Sequence, residues 1–231
     1  LSIQVHPDND YAMRVEGGFG KTEMWYVVDS QPGAQLIYGF NKTISREEFR
    51  RRIEDNTITE VCNFVPVKKG DVFFIEAGTL HAIGAGILIA EVQQNSNTTY
   101  RVSDYGRLGA DGKPRELHIG KAVDVTVTAP PTIPYGNIGE TREIPGGHVR
   151  NLSSCEFFTT SVLTVTGRMA AGRQDSFCSL LCLEGICEIE TDNGEKLTLQ
   201  KGGSAFIPAG INVSLKGNPE SPAELLYTYI D

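Results

Sequence analysis

Hydrophobic and polar positions alternate with a period of two in short runs along most of the chain: 1–6, 21–28, 34–38, 72–76, 86–94, 157–165, 178–191, 196–200, 204–207 and 225–230. Turn-forming residues bound the runs, as expected for many short antiparallel strands joined by tight turns. One segment, Ser45-Arg-Glu-Glu-Phe-Arg-Arg-Arg-Ile-Glu, breaks the rhythm. Ser45 followed three residues later by Glu48 is a capping box, and Phe49 and Ile53 stand one turn apart on a single face. The pattern predicts a mainly β chain of jelly-roll or sandwich type, with a short helical insertion near 45–55 and a second short helix around Glu116–Val123.

An internal repeat divides the chain. Lys69-Gly-Asp-Val-Phe-Phe-Ile-Glu-Ala-Gly-Thr-Leu-His81 aligns without gaps to Lys201-Gly-Gly-Ser-Ala-Phe-Ile-Pro-Ala-Gly-Ile-Asn-Val213, with six identities in thirteen at an offset of 132. Each copy reads as a turn, a buried strand, a tight turn and the start of the next strand. Two related barrels are expected, one over 1–125 and a smaller one over 154–231. The aperiodic stretch 126–153, rich in Pro, Gly and Thr, reads as a linker between them. The second copy has Val213 where the first has His81, and 154–231 contains no histidine, so the chemistry is expected in the first barrel.

Composition narrows the partners. The chain has 231 residues, enough for a substantial core, with 21 basic and 29 acidic side chains and a formal charge of −8. An acidic surface repels phosphate backbones and anionic lipid, which argues against nucleic acid or membrane as the main partner. The longest apolar stretches, such as 86–90, fall far short of a membrane span. Five cysteines, Cys62, Cys155, Cys178, Cys182 and Cys187, form no C-x-x-C pair and read as small buried hydrophobes, which fits a reducing cytoplasm. The opening Leu-Ser-Ile-Gln-Val-His-Pro lacks an initiator methionine and already alternates like a strand, so a longer parent chain is expected.

Candidate chemistry lies on the inward faces of the first barrel. Gln4 and His6 share one face of strand 1–6, opposite Ile3 and Val5, while Lys21, Glu23 and Trp25 share a face of strand 21–28. His81 follows the Ala-Gly-Thr turn. Faces turned inward bring Gln4, His6, Glu23 and His81 to one point, where two imidazoles, a carboxylate and an amide oxygen make an N/O metal site. Glu91 lies in an apolar strand in phase with Ile87 and Ile89, where a buried carboxylate needs a reason. The polar stretch after it leads to Arg101 and Arg107, whose guanidiniums suit a phosphate or a developing enolate charge.

The runs SIQVHPD (2–8), GKTEMWYV (20–27), KGDVFFIEAGTLHAIG (69–84), QQNSNTTYRVSDYGR (93–107) and RELHIGKA (115–122) closely resemble type I mannose-6-phosphate isomerases of the cupin superfamily, in their bacterial short-chain branch. The resemblance is collinear over the first 125 residues, and the remainder resembles the family's smaller C-terminal cupin-like domain by pattern more than by motif. It implies cupin barrels, the first catalytic and metal-binding without the family's usual leading segment, the second without ligands. It further implies a cytoplasmic, zinc-dependent enzyme of carbohydrate metabolism with one zinc ion per chain, or manganese or cobalt in its place. That enzyme interconverts mannose 6-phosphate and fructose 6-phosphate as a monomer or weak homodimer, its partner the small sugar phosphate.

The family's metal ligands fall on Gln4, His6, Glu23 and His81, its active-site arginine on Arg101, its lysine on Lys21 and its buried glutamate on Glu91. Ser2 and Arg107 stand where the family is proposed to contact phosphate. One position departs: Asn97 replaces the aspartate usual in Ser-Asp-Thr-Thr-Tyr-Arg, and an amide holds hydrogen bonds but shuttles no proton. Isomerisation through an enediolate needs a base near C2, and Lys21, with its pKa depressed by burial and a cation, and Glu91 are both candidates. Two other readings stay open on the residues, a non-catalytic sugar-phosphate-binding cupin and a metal-dependent cupin oxygenase or decarboxylase.

Overall fold

The alternating runs pair, in a computed structural model that describes residues 1–109 and 112–231, into two units, Leu1–Asn137 and Ile138–Asp231. Unit 1 runs β1 (Ile3–Val5), α1 (Asn9–Glu16), β2 (Glu23–Ser30), β3 (Gln35–Phe40), α2 (Arg46–Glu54), β4 (Cys62–Pro66), β5 (Val72–Ile75), β6 (His81–Ala82), β7 (Ile87–Gln93), β8 (Tyr100–Ser103) and α3 (Ile119–Val125). Its strands form an antiparallel five-stranded sheet in the order β4-β3-β6-β1-β8 and a three-stranded sheet in the order β5-β2-β7.

Period-two alternation gives β1 two different duties. Ile3 and Val5 pack into a core with Phe40, Leu80 and Val102, together with Phe49 and Ile53 of α2 and Ala122 of α3. Burying a side chain such as Phe49 stabilises by about 2–3 kcal/mol. Gln4 and His6 point the other way. A second core of Trp25, Val27, Leu36, Tyr38, Phe73 and Ile75 joins residues of the two sheets. Ser45 caps α2 by accepting from the Glu48 N–H at 3.1 Å, whereas the Glu48 carboxylate accepts from Arg52 Nε at 2.8 Å instead of reaching back. The capping box is thus half made.

Unit 2 runs β9 (Thr141–Ile144), β10 (Gly147–Ser154), β11 (Thr159–Val165), β12 (Arg168–Ala171), β13 (Cys178–Glu184), β14 (Ile186–Thr191), β15 (Lys196–Gln200), β16 (Ser204–Ile207), β17 (Val213–Lys216) and β18 (Ala223–Tyr229). A six-stranded sheet, β16-β13-β18-β11-β10-β9, and a four-stranded one, β12-β17-β14-β15, enclose a core that includes Leu163, Leu180, Leu215 and Leu225. All five cysteines are free, and all but the half-buried Cys155 are buried. The run 178–191 is two strands rather than one. Gly185, at φ +74, turns the chain from one sheet to the other, and a Cβ there would meet Pro222 O at 2.6 Å.

The stretch 126–153 departs from the expected linker. Val127 donates to Gly78 O at 2.9 Å, Val72 and Gly136 exchange hydrogen bonds of 2.8 and 3.0 Å, and Tyr135 stacks on Phe73, so 126–137 belongs to unit 1. From 138 onward the chain builds β9 and β10. Their half-exposed positions blur the alternation that would have announced them.

The repeat survives as structure. Phe74-Ile75 lies in β5 and Phe206-Ile207 in β16; His81 opens β6 and Val213 opens β17. Gly78 and Gly210 take φ +88 and +77 at equivalent turns, a conformation that L side chains adopt at a cost. Val213 joins the core of unit 2.

Candidate metal centre

Three strands present the site in register. Gln4 of β1 pairs with His81 of β6 on one side and Arg101 of β8 on the other, so the three side chains share the sheet's inner face. The Gly78 N–H donates to His6 O at 2.8 Å, tying the end of β1 to the turn that precedes His81. Glu23 opens β2, and Lys21 just before it is set by its own N–H donating to Pro7 O at 3.0 Å.

Each histidine is locked by the main chain. His6 Nδ1 donates to Thr98 O at 2.9 Å and His81 Nδ1 to Thr79 O at 2.8 Å. Carbonyls only accept, so both rings carry their proton on Nδ1 and turn the Nε2 lone pair inward. The two Nε2 atoms lie 3.1 Å apart, with Glu23 Oε1 3.3 Å from His81 Nε2 and Oε2 3.6 Å from His6 Nε2. The Gln4 amide nitrogen lies 3.3 Å from His81 Nε2, and turning the amide over would present its oxygen. Ligand atoms about 2.05 Å from a tetrahedral zinc ion are roughly 3.3 Å apart, so these separations are those of one coordination shell. Trp25 closes the site edge-on to His81, with ring centres 5.2 Å apart.

The electrostatics ask for a cation. Glu23 is fully buried, and neither of its oxygens accepts a well-formed hydrogen bond. Lys21 Nζ pairs with Oε2 at 2.8 Å as a charge contact. Burial, and then the charge of Glu91, push the Glu23 carboxyl up to about 7. Burial also drives His6 down to about 2 and His81 down to about 4, so both are neutral imidazoles at physiological pH. Two inward lone pairs and an under-bonded buried carboxylate form a donor set that His6, Glu23 and His81 can close around a metal ion.

Glu91 is not buried as expected. It sits on β7, an edge strand, with its side chain about a third exposed (32%), held between Lys21 Nζ and Trp25 Nε1, each at 3.1 Å. Lys21 is governed by its two carboxylate neighbours in the metal-free site. Burial alone lowers its pKa, but Glu23 and Glu91 outweigh burial and raise it, so the side chain is an ammonium.

A groove of about 610 Å³ opens beside Gln4, and Ser2, Arg101, Arg107 and Arg115 line it with Asp104. Arg107 and Arg115 both pair with Asp104, and these bonds, that from Arg115 first, hold the Asp104 carboxyl below the usual carboxylate range. Arg101 Nη1 donates to Glu116 O at 2.8 Å. Lys21, Glu91 and Asn97 are not among the lining residues. Asn97 is exposed on its loop, which serves the site through the main-chain carbonyl of Thr98.

Sequence reasoning passed over Asp104, Arg115 and His118. The run RELHIGKA held the only signal for the last two. A second groove, about 560 Å³, lies in unit 2 among Leu197, Phe206 and Ile211 with Glu195 and Lys196. Among the described residues the His/Glu/His cluster lies in unit 1, beside the first groove through Gln4, and not in this one.

Two cupin-type β units with a buried His/Glu/His centre in the first define the class. A family model described as "Mannose-6-phosphate isomerase, cupin domain" matches residues 148–220. Mannose-6-phosphate isomerase ManA of Bacillus subtilis is 39% identical over 213 residues, covering 91% of this chain and 66% of its own. Mannose-6-phosphate isomerase of Streptococcus mutans is 38% identical over 208 residues, covering 90% and 64%. The crystal structure of mannose 6-phosphate isomerase from Bacillus subtilis superposes with a TM-score of 0.88 at 32% identity, over 99% of this chain and 71% of that one. The chain belongs to the mannose-6-phosphate isomerase family. It spans just under two thirds of the length of the two curated relatives.

Proposed function

We propose that this chain is a zinc-dependent aldose–ketose isomerase that interconverts mannose 6-phosphate and fructose 6-phosphate through an enediolate. The convergence of His6, Glu23 and His81 at coordination spacing, with Gln4 between that point and an arginine-lined groove, carries the reading. His6, Glu23 and His81 would hold the zinc ion, with Gln4 turning its amide oxygen to it. When bound, the ion supplies Lewis acidity beside the substrate oxygens. Free cysteines support a reducing compartment.

The chain's own residues divide the remaining work. Arg101, on the same face as Gln4, stabilises the negative oxygen of the enediolate. Ser2 and Arg107 take the phosphate, Arg107 pre-set by Asp104. One proton must leave one carbon and return to its neighbour. Lys21 is held as an ammonium by two carboxylates, which supports Glu91 as the base and Lys21 as its charged partner. Asn97 carries no proton transfer in this scheme.

The test is to incubate the zinc-loaded chain with mannose 6-phosphate and follow fructose 6-phosphate. Turnover is expected, and His81→Ala should abolish it together with bound zinc. Glu91→Gln should keep zinc and lower kcat by about 10²- to 10⁴-fold. A zinc-loaded chain that binds the sugar phosphate without converting it would replace this reading with that of a binding protein.

A further inference from the structure

The loop before α3 holds Arg101 at three points. His118 N–H donates to Arg101 O at 2.9 Å, the Arg101 N–H donates to His118 Nδ1 at 3.0 Å, and Glu116 O accepts from the Arg101 guanidinium. β8 is the edge strand of its sheet, so among the described residues no strand neighbours Arg101 on its open side. His118 supplies what a strand would have supplied, a backbone donor and, in place of a carbonyl, a ring nitrogen. The bond requires a neutral ring with its proton on Nε2, the opposite tautomer to that of His6 and His81. The ring also rests near Tyr100, at 6.1 Å between centres, and so cannot swing freely.

The geometry points to His118 as the positioning residue of Arg101: it completes the sheet edge at that one residue and so fixes where the guanidinium meets the substrate. The inference rests on the isomerase reading for the role of Arg101, not for the placement. An edge residue without partners frays, and a charge-stabilising group displaced by a fraction of an ångström loses much of its effect. His118 bonds to Arg101, whose strand partner is Gln4, so it reaches the His6, Glu23 and His81 cluster only through that one pairing, and its effect should be separable from metal binding.

The experiment compares the zinc-loaded wild type with His118→Ala and His118→Asn, whose Oδ1 can stand where Nδ1 does. Amide hydrogen exchange at Arg101, kcat/KM for mannose 6-phosphate and zinc per chain are measured together. In the alanine variant, Arg101 exchange should quicken roughly tenfold. Its kcat/KM should fall roughly 10- to 100-fold, mostly in kcat, with zinc unchanged. The asparagine variant should restore both. Should the alanine variant fail to fold, His118→Gln, whose acceptor falls elsewhere, takes its place against His118→Asn. Equal loss in the alanine and asparagine variants, or unchanged Arg101 protection in alanine, overturns the proposal. A wild type that holds zinc yet turns nothing over overturns the isomerase reading and the catalytic consequence, while the exchange data still decide whether His118 anchors Arg101.

Discussion

A proton and a metal ion compete for one carboxylate. Burial and Glu91 raise Glu23 from 4.5 to about 7, so in the metal-free chain its contribution to stability is full below about 4.5 and is lost as pH rises through about 7. His6 and His81 act in the opposite sense. Lowered from 6.5 to about 2 and about 4, they contribute stability present above about 6.5 and lost as pH falls towards those values. Metal binding needs Glu23 ionised and both rings neutral. At about pH 6 the rings are already neutral, so zinc loading should release about one proton, from Glu23; at about pH 8 it should release almost none. Titration calorimetry in two buffers of different ionisation enthalpy reads this number directly, and no release at the lower pH would refute the assignment. The approach of Gln4 and His6 to one side of the sheet was legible because alternation sorts them from Ile3 and Val5. Glu91 was misread because alternation does not say which strand is an edge. His118 and Asp104 left no periodic trace, since their partners lie on the far side of a turn.

The same turn serves both copies of the repeat under unequal constraint. At Gly78 a Cβ would lie 2.8 Å from Val125 O, whereas at Gly210 it would meet nothing within 4 Å. Gly210→Ala should therefore cost only the left-handed backbone, about 1–2 kcal/mol, and Gly78→Ala more, because the carbonyl must also move. Urea midpoints at constant slope compare the two; equal losses would mean the crowding at Gly78 relaxes freely. Because the Gly78 N–H holds His6 O, the Gly78 variant should also bind zinc more weakly. Among the elements, α2 was legible from its cap and its Phe49–Ile53 stripe. α1 was not, although Asp8 caps it, because Ala12 is its one buried residue and leaves no stripe to read. β6 is two residues long, too short for any period to register. β9 and β10 hid in a segment whose prolines and glycines suggested a tether.

At the scale of the molecule, the chain divides its labour: unit 1 holds the His/Glu/His cluster that could take a metal and unit 2 keeps an apolar core, with Val213 where the repeat puts His81 in unit 1. The alignment of the copies made that asymmetry readable in advance, but not where one unit ends and the next begins. The groove brings a consequence of its own. Three arginines against one aspartate leave it a surplus of two positive charges, in a chain whose total is −8. If the proposed function holds, a dianionic sugar phosphate meets two fields with different ranges, repulsion from the whole surface and attraction from the groove mouth. The screening length shrinks from about 30 Å at 0.01 M salt to about 10 Å at 0.1 M and about 3 Å at 1 M. Moderate salt should silence the distant repulsion first, and only high salt the nearby attraction. The second-order rate for the phosphorylated sugar should therefore rise and then fall with ionic strength, while that for unphosphorylated mannose stays flat; a monotonic fall would mean that the groove alone sets the field. On the proposed reading the groove sets a preferred range of salt, admitting the anion through a narrow window in an otherwise forbidding potential.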